Sequence, residues 1–326
     1  MKKAKLKRLR LKLLILFIVT SLLIINIGNT NATVEISNIQ NTQKEEINAQ
    51  VISNSNPTIS GDGNTNHWAV IIVVGGGRGY WHHALWGIRT ANGLIDVLVN
   101  HGWQKNNIKC LIEKEATTEA IFDTFQWLNE SGEDEDDIIL FCFIGHGYNH
   151  TEDLPPLDEP DGKDDCYFPW DDEVDGWSWD TYIIDDELGA KFDKLKSKNI
   201  LAIFDTCLSG GWIDGTNDPC KSGRIILTSC DVDEASAPII ARMRWLFTHY
   251  LIQGFKGRAD SNNDKWVSAE EAFNYAKLPT MIRSTIFNLI VYIIEPVPLT
   301  QHPQLYDGWP TEENNQQELN IIDLTK

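Results

Sequence analysis

Five short runs of almost unbroken Val, Ile, Leu and Phe constrain this chain most: Trp68 to Val74, Asn107 to Ile112, Asp137 to Ile144, Asn199 to Asp205 and Arg224 to Ser229. Strands that read this way are buried on both faces, as in parallel sheets covered by helices. Between them, Ala84 to Asn100, Thr117 to Asn129 and Asp185 to Lys196 carry apolar residues at three- and four-residue spacing and are predicted helices. The alternation predicts an α/β fold with a mostly parallel central sheet and helices on both faces. No internal repeat of useful length interrupts it.

The N-terminus has a different character. Seven basic residues and no acid occupy positions 1–32, followed within that span by an apolar run from Leu13 to Ile27. This order of parts predicts a signal peptide or a membrane anchor, and with it a secreted or extracytoplasmic, membrane-anchored protein. Residues 33–66, rich in Asn, Ser, Thr, Gln and Gly, read as a polar linker or pro-segment, which leaves 67–326 as one large domain. The whole chain has 28 Lys and Arg against 47 Asp and Glu; without the first 32 residues the balance is 21 against 47, a net charge of −26. Nucleic acid is excluded as a partner on that charge.

Ligands of open α/β sheets bind at the carboxyl ends of strands. Two predicted strands end in reactive residues: one runs into Gly145-His146-Gly147, the other into Asp205-Thr206-Cys207-Leu208-Ser209-Gly210. An imidazole and a thiol at two strand ends can act as base and nucleophile. The glycines beside His146 leave room for a substrate chain, and the Gly147 N–H can face a developing oxyanion.

With its opening strand Trp68 to Gly75, the His146-Gly147 turn, Asp205-Thr206-Cys207-Leu208-Ser209-Gly210 and Leu227-Thr228-Ser229-Cys230-Asp231, the chain resembles the caspase-like cysteine peptidases, the group of metacaspases, legumain and gingipain. The resemblance spans roughly residues 67 to 310. It implies a caspase-like three-layer sandwich and hydrolysis of protein or peptide substrates through a thioester on Cys207, with His146 handling the proton and the N–H groups of Gly147 and Cys207 holding the oxyanion. The Gln-Ala that precedes the nucleophile in caspases is absent, which argues against their Asp specificity.

Residues 151–187, between the two catalytic strands, hold fifteen acids against the single base Lys163. Acidic residues at a site mouth favour a Lys or Arg side chain at the cleavage position, and Asp205, two residues before the nucleophile as in metacaspases, is the residue expected to bind it. Asp185, Asp186 and Asp214 resemble the carboxylates that bind activating calcium in metacaspases. A second calcium signal lies at 260–271. Asp260, Asn262, Asp264, Ser268 and Glu271 fill positions one, three, five, nine and twelve of an EF-hand loop, and Trp266 would lend its carbonyl at position seven. Lys265 stands where glycine is expected.

Excluding Cys207, an odd number of cysteines remains, so at most two disulfides form; Cys110 with Cys142, expected on adjacent strands, and Cys166 with Cys220 are the candidate pairs. His82 and His83 follow the first strand, where legumain-like enzymes contact substrate. Three readings stand beside a hydrolase specific for basic residues. They are a legumain-like peptidase cutting after Asn, a transpeptidase, and a catalytically silent calcium-dependent adhesion or glycan-binding module using Trp170, Trp177 and Trp179.

Overall fold

The computed structural model describes residues 61–75, 81–150, 152–157, 159–171, 181–213, 219–239, 242–292 and 300–326. The N-terminal signal or anchor, most of the polar stretch, Asp214, Trp177 and Trp179 lie outside the described residues. Among those described, no helix is long and apolar enough to cross a membrane.

The strands are β1 (His67–Val73), β2 (Ile108–Ile112), β3 (Ile138–Ile144), β4 (Gly147–Asn149), β5 (Asp165–Tyr167), β6 (Ile183–Ile184), β7 (Ile200–Asp205), β8 (Arg224–Thr228), β9 (Pro238–Ile239), β10 (Arg244–Trp245), β11 (Trp266–Ser268), β12 (Gln304–Asp307) and β13 (Asn320–Asp323). The helices are α1 (Trp81–Asn100), α2 (Thr118–Ser131), α3 (Asp185–Phe192), α4 (Leu246–Gln253) and α5 (Ala269–Tyr292). Six strands form the main sheet in the order β12-β8-β7-β3-β1-β2. Five run parallel, and β12 closes one edge antiparallel to β8.

The alternation of side chains along each strand divides the apolar residues between two cores. Ala69, Ile71 and Val73 pack with Leu94 and Leu98 of α1, Phe247 and Leu251 of α4, and Phe273 of α5. Val70, Ile72 and Val74 pack with Ile121, Phe125 and Leu128 of α2 and Leu188 and Phe192 of α3. This is the three-layer α/β sandwich expected from the sequence. Thr117 caps α2, its side chain accepting from Ala120 N at 3.2 Å, and Gly132 ends that helix with φ 89°.

The order of the sheet corrects one expectation. β2 and β3 are not neighbours, because β1 runs between them and Ile71 pairs with both Cys110 and Cys142. Two strand spacings, roughly 9–10 Å, exceed the reach of a disulfide, and Cys110 and Cys142 are both free thiols. The acidic insertion is also more than a solvated loop. Its β5 pairs with β4, immediately after His146, and β6 pairs with β5 on the other side; Glu159, Asp164, Asp165 and Asp185 are buried.

Candidate active site

β3 and β7 are adjacent parallel strands in which Ile144 faces Asp205. His146 and Cys207 therefore stand two residues beyond the same register pair, on neighbouring strand ends. Gly147 and Cys207 are in close approach: a Cβ on Gly147 would lie 2.4 Å from the Cys207 carbonyl oxygen and 2.7 Å from Thr206 Oγ1. Only glycine fits there. Phe168 N donates to His146 O at 3.2 Å, so Gly147 faces Tyr167 as a non-hydrogen-bonded pair and its N–H is left out of the β4–β5 ladder. That is the condition for an oxyanion donor.

Burial lowers the pKa of His146, and a hydrogen bond to the Gly75 backbone partly offsets it. The imidazole is thus held neutral, ready to accept a proton. Its neighbour His83 lies 5.5 Å away between ring centroids and is lowered to about 4 by burial and by His146 and His82. His82 and His83 stand in the first turn of α1, and His83 also packs on Trp245. Cys207 is half-buried. Burial pushes its thiol up, a hydrogen bond from the Ser236 backbone pulls it back, and the Asp205 charge adds a further upward push. The next residue, Leu208, has φ 58° and donates its N–H to Glu234 O at 2.7 Å, which fixes the turn after Cys207.

Asp205 is fully buried. Its Oδ1 accepts from Ser236 Oγ at 2.6 Å and its Oδ2 from Thr248 N and Oγ1 at 2.9 and 2.8 Å. The carboxylate thus lies inside the fold directly before the nucleophile, joined to the Ser236 segment that also touches the sulfur. Burial raises its pKa against these hydrogen bonds.

Of the carboxylates expected to hold calcium, Asp185 is in a converging set: Asp185, Asp164 and Glu159 are all buried and offer oxygens within 4.8 Å of one another. Asp186 follows at the start of α3, donating its N–H to Asp185 Oδ1 at 3.1 Å, but is not in that trio. Glu159 and Asp164 were not singled out by sequence, where they look like any other acid of the run. Three buried carboxylates at this separation must share protons or a cation, so the donor set suits a hard divalent ion.

The loop at 260–271 has the turn geometry that its sequence lacks the glycine for. Lys265 adopts φ 76° and Asn263 φ 62°. Trp266 and Ser268 bound β11, which pairs with β13 through Val267 and Ile322, and α5 starts at Ala269. Asp264 Oδ1 accepts from Trp266 N at 2.8 Å, and Asn262 Oδ1 from Asp264 N at 2.9 Å. Glu271 Oε1 accepts from Ser261 N and Oγ at 2.9 and 2.8 Å, and Asp260 Oδ1 is buried without a hydrogen-bond partner among the described residues. The oxygens of Asp260, Asp264 and Glu271 are not among the groups converging within 4.8 Å.

Residues 90–216, a span that contains both His146 and Cys207, match the family model of the metacaspase, peptidase C14 domain. That segment is similar to the caspase-like cysteine peptidases. This caspase-like segment is similar to Metacaspase-1 of Candida albicans, with 32% identity over 139 residues, 39% of this chain and 30% of the relative. Metacaspase-1 of Lodderomyces elongisporus matches at 30% identity over 139 residues, covering 39% of this chain and 29% of that one. Metacaspase-1 of Saccharomyces cerevisiae matches at 32% over 136 residues, again 39% of this chain and 30% of the relative. The caspase-like match thus spans about 30% of the length of these curated relatives. Among solved structures, protein GSU0716 from Geobacter sulfurreducens aligns with TM-score 0.46 and 17% identity over 74% of this chain and 92% of that chain.

Proposed function

We propose that this protein is an exported cysteine endopeptidase that cleaves after Arg or Lys and works with calcium bound. The observation that carries the peptidase reading is the placement of His146 and Cys207 at equal offsets beyond the Ile144 and Asp205 pair. The neutral His146 takes the Cys207 proton as the sulfur attacks the scissile carbonyl. The N–H groups of Gly147 and Cys207 hold the oxyanion. His146 then gives the proton to the leaving amine, and water resolves the thioester with His146 as base.

Preference for a basic side chain is supported by the net charge of −14 in residues 151–187 and by Asp205 two residues ahead of the nucleophile. A guanidinium or ammonium reaching Asp205 would exchange hydroxyl partners for charge-assisted hydrogen bonds. Calcium is supported by the buried trio Glu159, Asp164 and Asp185, and by the sequence of the 260–271 loop with Asp260, Asn262, Asp264, the Trp266 carbonyl, Ser268 and Glu271. A bound cation would neutralise these carboxylates and stiffen the segments that carry them. Export, and a membrane tether if the leader is retained, rest on the basic and apolar order of residues 1–32.

The test is a fluorogenic peptide panel with Arg, Lys, Asn or Asp before the scissile bond, run with calcium and with chelator, beside Cys207→Ala. Calcium-dependent cleavage after Arg or Lys, lost in the variant, is the expected result. Cleavage after Asn would move the enzyme to the legumain type, and ligation of an added amine would make it a transpeptidase. Wild-type activity in Cys207→Ala would refute the mechanism.

A further inference from the structure

At the mouth of the site the central sheet runs out of acceptors for β1. Val74 N still donates to Ile144 O at 3.0 Å. β2, however, ends at Ile112, opposite Val73, so its ladder does not extend to Gly75. A side chain takes over: Glu113 Oε1 accepts from Gly75 N at 3.0 Å. To do so, Glu113 leaves the extended conformation for φ 52°, and Ala116 N closes the turn on Glu113 O at 2.7 Å. A left-handed residue with a full side chain is costly and is retained where the surrounding geometry is used.

Gly75 is also where the imidazole of His146 is seated, through a hydrogen bond to the Gly75 backbone. On its other side it abuts His83, whose Cβ lies 3.1 Å from the point where a side chain on Gly75 would begin. Gly75 is therefore clamped by Glu113 on its N–H and by His83 on its Cα, and carries the catalytic base.

We propose that Glu113 is a positioning residue for His146: by holding the Gly75 N–H it fixes the backbone on which the imidazole rests, and thereby aims the ring at Cys207. The inference rests on the peptidase reading for its kinetic consequence, though not for the seating itself. Misplacement of a reacting group by about 1 Å costs roughly a hundredfold in rate, so a carboxylate that never touches substrate acquires catalytic weight.

The experiment compares Glu113→Ala with Glu113→Gln in the full chain. Both remove the charge, but the glutamine amide oxygen still accepts the Gly75 N–H. The readouts are kcat and KM on an Arg peptide, the pH profile of kcat/KM, the melting temperature, and the titration of the His146 ring by NMR. We expect Glu113→Ala to lose about tenfold to a hundredfold in kcat with KM little changed, and to lower the His146 titration midpoint further than Glu113→Gln does. Glu113→Gln should stay close to wild type in kcat. Equal kcat and equal His146 titration in the two variants would overturn the proposal, as would losses that simply follow melting temperature. If wild type cleaves no peptide, the peptidase reading fails while the NMR comparison still decides whether Glu113 seats the ring.

Discussion

The Cα of Gly147 lies so near the Cys207 carbonyl that a methyl group on it would meet the oxygen at 2.4 Å. The turn that carries His146 and the turn that carries Cys207 are thus in backbone contact, and neither can shift alone. Gly147→Ala must push them apart. Overpacking of this kind costs about 1–3 kcal/mol, and we expect kcat on an Arg peptide to fall roughly a hundredfold while KM changes little. Unchanged kcat in a correctly folded variant would show that the contact is not part of the site.

As the proposed base, the buried His146 sets the acid side of the expected pH profile. Burial lowers its pKa below the ordinary 6.5, so protonation removes the base only at more acidic pH. The acid limb of kcat/KM should therefore have its midpoint below 6.5, measured on a substrate that does not titrate there. His146→Ala should lower kcat by about 10²- to 10⁴-fold and abolish that limb.

In the 260–271 loop, Lys265 occupies a left-handed position that glycine adopts without strain. Lys265→Gly removes about 1 kcal/mol of that strain, and calcium affinity by isothermal titration should rise several-fold. Glu271→Gln should weaken it by removing the charge of a proposed ligand. Identical isotherms for all three proteins would place calcium elsewhere.

Acid stability has a separate determinant in α4. His249 is buried in α4, and its pKa falls to about 4, first by burial and then through the charges of Arg242, Arg244, Lys256 and Arg258. Unfolding returns it to the ordinary 6.5, so the unfolded chain binds the extra proton between these values. Stability from this residue is complete above pH 6.5 and is lost as the pH falls through about 4, a change of about 3 kcal/mol. His249→Phe should flatten the fall in melting temperature across this window, and added salt should weaken the part due to the four cations. A melting curve with the wild-type pH dependence would exclude His249 as the cause.

Much of this architecture was legible in the sequence because continuous apolar runs and glycine-flanked reactive residues are local signals. The five predicted strands match β1, β2, β3, β7 and β8 to within about a residue at their ends. β12 has no such signal, because Gln304 to Asp307 is a short edge strand that needs no unbroken apolar run. α4, apolar on most sides, offered no amphipathic period because it is enclosed by the core. Order across a sheet is not a local property, so sequence alone places Cys110 and Cys142 on adjacent strands, whereas β1 runs between them. In the same way, the fifteen acids of the insertion look alike in sequence. Only folding separates Glu159, Asp164 and Asp185, which converge in the interior, from exposed ones such as Asp161. Glu113 carries no motif; its role follows from where β2 stops.

The pairing of β3 with β7, from Ile139 with Ile200 to Ile144 with Asp205, is what keeps His146 and Cys207 at neighbouring strand ends. The chain that connects them travels through the acidic insertion, whose Asp161-Gly162-Lys163 turn is exposed. A break at that turn would put the base on one polypeptide and the nucleophile on another, held together by a ladder buried on both faces. The enzyme would then be a two-piece assembly, its activity governed by association of fragments rather than by continuity of the backbone.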